Sequence, residues 1–113
     1  LQALHLLNDV QHFEAARAFG ERTLAESGTS TEERIVFLYR SVLSRRPDAD
    51  ELQLVKDAYA TQLRLFKENP EAARRAIHTG ESAPRNLAPD PETAAWTMIA
   101  NLIFNLDETV TRN

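Results

Sequence analysis

The run AAWTMIANLIFNL at residues 94–106 constrains this chain more than any other stretch. Ala95, Trp96, Met98, Ile99, Leu102, Ile103, Phe104 and Leu106 cover most of a helix's circumference, and a helix apolar nearly all round is buried on most sides. It therefore needs other helices around it. One narrow polar stripe interrupts the apolar surface: Thr97, Asn101 and Asn105, continued by Asp107 and Glu108. A stripe in such a setting must find partners, because an unpaired buried amide costs about 1–3 kcal/mol. It either fixes helix register inside the domain or meets a neighbouring domain. The run falls short of the roughly 20 apolar residues of a membrane-spanning helix, so membrane insertion is not expected.

The rest of the chain supplies the surrounding helices. Val10 to about Glu26 reads as one helix, with Val10, Phe13, Ala16, Phe19 or Gly20, and Leu24 facing inward. Arg17 falls at the edge of that face, where its stem is expected to cover apolar surface while its charge stays in water. Gly20 costs roughly 1 kcal/mol relative to Ala inside a helix, and a close helix–helix approach is the usual reason for it. Ser30 with Glu33, and Asp48 with Glu51, have the spacing of capping boxes. The first opens a helix with Ile35, Leu38, Tyr39, Val42 and Leu43 on one face, which Pro47 is expected to stop. The second opens a helix with Leu52, Val55, Tyr59, Leu63 and Phe66 inward.

Asn69-Pro70-Glu71 and Asp90-Pro91-Glu92 repeat one device: a cap, proline at the first helical position, then a carboxylate in the first turn. They predict a short helix ending near His78, with Gly80 as its C-cap, and a last helix from Pro91 to about Glu108. At the other end, LQALHLLND carries apolar residues at helical spacing from the first position and reads as a helix already under way. The expected fold is all-α, a compact bundle of five to six helices with no sheet. Residues 1–113 form a single helical domain, read as the C-terminal fragment of a larger multidomain chain.

Composition narrows the chemistry. There is no cysteine, which removes disulfides, thiolate metal sites, iron–sulfur clusters and c-type haem attachment. A net charge of −4 lacks the positive footprint of nucleic-acid binding. His5, His12 and His78 show no His-x-x-x-His or Glu-x-x-His pairing, so no metal site is expected. The carboxylates stand mostly at helix starts, where capping accounts for them, and three glycines give no phosphate-binding loop. Arg40, Arg45 and Arg46 suit the negative end of a helix dipole better than an anion site.

Four blocks in order, LQALHLLND, EAARAFGERTL, RIVFLYRSVLSRRPDADEL and AAWTMIANLIFNLDE, carry a family resemblance. The chain resembles the C-terminal end of the planctomycete-type proteins catalogued as Domain of Unknown Function 1553. Matching positions include Arg22, Arg34, Arg45, Pro47, Trp96 and the block from Asn105 to Glu108, while Thr109 departs from the aromatic residue common there. The resemblance implies a large exported parent, extracytoplasmic in location, often with a cytochrome-c-like haem domain nearer its N-terminus. It supplies no catalytic residue and no cofactor for this segment.

Three functions stay in view. The first is a non-catalytic interaction module that packs against upstream domains and, when isolated, self-associates or is marginally stable. The second is part of an enzyme site, perhaps polysaccharide-related, in which Asn101, Asn105, Asp107 and Glu108 line a cleft facing the loop at 80–90. The third is a small-ligand binder with an enclosed apolar pocket.

Overall fold

The structure, a computed structural model, describes residues 10–78, 85 and 87–112; the side chains of residues 10–12 and 108–112 lie outside the description. The helix expected over 1–7 and the Gly80 cap fall outside the described residues. Five helices follow in order: α1 (Val10–Glu26), α2 (Thr31–Leu43), α3 (Ala49–Glu68), α4 (Pro70–Ile77) and α5 (Asp90–Arg112). No strand occurs among the described residues. The fold is all-α, as the periodicity requires.

Both capping boxes form. Ser30 Oγ accepts from Glu33 N at 3.0 Å and Glu33 accepts from Ser30 N at 3.2 Å, opening α2. Asp48 and Glu51 do the same for α3 at 2.8 and 2.9 Å. Asn69 closes α3 through its N–H to the Leu65 carbonyl, and its side chain accepts from Ala72 N to open α4. One residue therefore serves two helix ends, and Pro70 at the first position of α4 leaves no donor unpaired.

Two helix ends differ from the sequence expectation. α2 stops at Leu43 because Ser44 takes a left-handed conformation, φ 61° and ψ 27°, three residues before Pro47. That conformation terminates a helix by turning the chain out of register. α5 starts at Asp90 and runs on to Arg112, with Thr93 N bonded to the Pro89 carbonyl at 3.1 Å. Asp90 thus stands in the first turn and not at the cap. Asp107 and Glu108 lie within α5, four or more residues before its end.

α5 contacts all four other helices and is the axis of the core. Ala94, Ala95, Trp96, Ile99, Ala100 and Ile103 are buried on it, against Ala16, Ile35, Leu38, Tyr39, Val55, Tyr59, Phe66, Ala73 and Ile77 from the rest. Its longest contact is with α1, and Gly20 is what lets the two approach. A Cβ on Gly20 would stand 3.1 Å from Thr97 N and 3.2 Å from the Trp96 carbonyl carbon. Trp96 stacks on Tyr59 with centroids 4.3 Å apart, and Phe104 meets Phe19 edge-on at 5.6 Å.

Candidate functional site

The polar stripe on α5 does not act as one unit. Thr97 is fully buried, and its hydroxyl donates to the Thr93 carbonyl one turn earlier at 2.8 Å. It is satisfied by its own helix. Asn101 and Asn105 are half-buried, and Asn101 Oδ1 is shut off from solvent without a hydrogen-bond partner among the described residues. Asp107 is half-buried. The side chain of Glu108 lies outside the described residues, as does most of the loop that a cleft was expected to face. None of Thr97, Asn101, Asn105 and Asp107 lines the surface depressions described below.

The charged residues of α1 depart furthest from expectation. Arg17 is buried, 2% exposed, where its sequence position placed its charge in water. Its Nη1 donates to the carbonyl of Ile77, the last residue of α4, at 2.5 Å, and Glu14 lies 3.9 Å away. A cation at a helix C-terminus meets the negative end of the dipole and an unpaired carbonyl together. One turn on, the equally buried Glu21 accepts from Arg85 N at 2.9 Å. The pair fastens the end of α4 and residue 85 to α1. Nothing local in the sequence marks this, because the partners are 60 and 64 residues away.

A second cluster lies where α2 and α3 meet. Arg45 makes a two-pronged bond to Glu51, both contacts at 2.8 Å, and its guanidinium lies 5.4 Å from the Tyr39 ring centroid. The Arg45 bonds, with the Asp48 backbone N–H, hold the Glu51 carboxyl down at about 2. Burial, then the Glu51 charge, pushes the Tyr39 hydroxyl upward. Arg45 was expected to answer the α2 dipole; instead it stands beyond the helix end and braces the α2–α3 turn.

Beside this cluster an apolar groove of about 230 Å³ is lined by Tyr39, Glu51, Leu54, Val55, Leu102 and Leu106. Leu54 is 68% exposed and Leu102 38%, so two leucines stand in water at its edge. Leu102 was expected on the buried surface of α5; it is instead partly open to water beside α2 and α3. Leu54 falls between the inward positions Leu52 and Val55 of α3, and an apolar residue off the inward register was the available signal for it.

The described residues contain no group of three or more His, Asp or Glu side chains able to hold a metal ion. His78 Nδ1 lies 2.8 Å from the Arg74 carbonyl at the end of α4, a structural contact. His5 and the side chain of His12 lie outside the description. No described helix is long and apolar enough to cross a membrane.

A family model described as PSD1, protein of unknown function (DUF1553), matches residues 1–59. The chain belongs to the DUF1553 family. Within the described residues, the match takes in α1, α2 and α3 as far as Tyr59, including both capping boxes and the buried Arg17 and Glu21. The Leu102 side of the groove and the polar stripe of this DUF1553 chain lie beyond it. No curated protein matches the chain, and no solved structure does.

Proposed function

We propose that this DUF1553 chain is a non-catalytic helical interaction module, set at the C-terminal end of a longer exported protein of the planctomycete type. It packs against that protein's upstream domains, among which the family resemblance allows a haem domain. The observation that supports the packing role is the apolar groove edged by Leu54 and Leu102. Fully burying a leucine is worth about 1.5–3 kcal/mol, so two leucines held in water favour a partner. The export and haem setting rests on the family resemblance alone.

The test uses the intact parent chain. Hydrogen exchange at residues 51–55 and 102–106 is expected to be slower there than in the 113-residue chain alone. The pair Leu54→Glu and Leu102→Glu is expected to remove that difference while leaving the isolated chain folded. Equal exchange in both settings overturns the packing role. The setting is read separately, by N-terminal sequencing and a dithionite-sensitive Soret band. A colourless, unprocessed parent overturns it.

The second reading, an enzyme site completed by upstream domains, draws on one feature: Asn101 Oδ1 is an acceptor without a partner among the described residues, which a carbohydrate hydroxyl would reach once the side chain turns outward. Under it, Asn101→Leu abolishes polysaccharide binding by the parent. Under the first reading, the same change leaves binding unaltered and makes the domain more stable.

A further inference from the structure

A second groove, of about 490 Å³, runs along α3 on a different set of side chains. Its floor is Tyr59, Ala60 and Leu63; its rim carries Lys56, Arg64 and Lys67, with Glu68 at one end and Thr31 of α2 across from it. Several arginines of this acidic chain sit against carboxylates, as in Arg22–Glu26, Arg45–Glu51 and Arg74–Glu71, while Arg40 and Arg46 pair with no described carboxylate. Lys56, Arg64 and Lys67 form no ion pair with any described residue. Three cations without an ion pair around an apolar floor give this groove a charge that complements an acidic partner.

We propose that this groove binds an acidic amphipathic helix of a partner protein, with apolar side chains on the floor and carboxylates reaching Lys56, Arg64 and Lys67. The proposal takes the chain as an interaction module but assigns a face separate from the Leu54–Leu102 groove. The cations span positions 56 to 67 of one helix, about 16 Å at 1.5 Å per residue, or three turns of a helix laid alongside. Anchors at helical spacing in an apolar groove give such binding its register. Opposite charge at the rim sets partner choice and on-rate more than affinity. The floor also carries its own reporter: Tyr59 stacks on Trp96, the chain's single tryptophan.

The experiment pans a displayed library of random tryptophan-free 16-residue peptides against the 113-residue chain. Enriched peptides are synthesised and titrated by Trp96 emission. They are expected to place Asp or Glu beside apolar residues at helical spacing, and to shift the backbone amide resonances of Lys56 through Lys67. Lys56→Glu, Arg64→Glu and Lys67→Glu together should weaken binding by about tenfold or more, and added salt should weaken it too. If that variant unfolds, Arg64→Ser with Lys67→Ser replaces it, with a smaller expected loss.

Leu54→Glu is run in parallel. Loss of binding there, but not in the charge variants, places the partner at the other groove and overturns this proposal while supporting the general module reading. Enrichment without acidic bias, or no enrichment, also overturns it. So does a dimer that the charge variants dissociate, which makes the occupant a second copy. Binding to phosphatidylglycerol vesicles in place of peptide overturns it as well.

Discussion

Gly20 occupies a close crossing, where α1 meets the backbone of α5. Gly20→Ala gains about 1 kcal/mol of helix propensity but presses a methyl against Thr97 N and the Trp96 carbonyl carbon. Overpacking costs about 1–3 kcal/mol, and the atoms met are backbone, so the net change is expected to be destabilising by about 1 kcal/mol. Gly20→Val is expected to cost more, and urea midpoints of the two variants check the order. Arg17 acts through chemistry where Gly20 acts through size. Arg17→Met keeps most of the stem's volume but leaves the Ile77 carbonyl without its donor. An unsatisfied buried acceptor costs about 1–3 kcal/mol. Hydrogen exchange over 73–78 is expected to quicken more than exchange in α2.

At the scale of elements, the α2–α3 turn depends on Glu51, which accepts from Asp48 N and from both Nη atoms of Arg45. Its folded pKa, near 2, lies below the ordinary value of 4.5. A depressed carboxyl pKa adds stability that is present above the unfolded value and is lost as pH falls through the folded one. The stability difference between the parent sequence and Glu51→Gln is therefore expected to be level from pH 7 to about 4.5, then to shrink toward pH 2. Urea melts at several pH values measure it, and a difference constant across that window contradicts the account. The effect is modest because Arg45 and Glu51 both keep contact with water. α4 is too short to sustain a helix alone, and beside the core contacts of Ala73 and Ile77 its ends are fastened by Asn69, Pro70 and Arg17.

At the scale of the whole molecule, one core surrounds α5, and Trp96 sits fully buried within it. A single core of this size favours cooperative unfolding. The emission of Trp96 is expected to be blue-shifted in the folded chain and to change in one transition coincident with the loss of far-ultraviolet helical signal. Two separated transitions would mean that α1 or α4 leaves the bundle first. Trp96→Ala is expected to cost about 3–5 kcal/mol, a large share of the roughly 5–15 kcal/mol that holds an ordinary domain folded.

The sequence by itself determined where most helices begin, because a cap closes within four residues and needs nothing from elsewhere: the boxes of Ser30 with Glu33 and Asp48 with Glu51, and the Asn69 cap before Pro70. It also identified the apolar last helix as one that must be surrounded, and Gly20 as a close approach. The tertiary structure alone decided which residues on those helices are buried. Arg17, Glu21 and Thr23 are inside while Leu54 and Leu102 are in water, since burial depends on which neighbour covers each face. Of the candidate site, sequence spacing displayed the stripe from Thr97 to Glu108. It did not show that Thr97 is satisfied by its own helix, that Asn101 is left with an unused acceptor, or that Lys56, Arg64 and Lys67 border an apolar groove. Periodicity records which residues share a face of a helix; what stands opposite that face is set by packing between residues far apart in the chain.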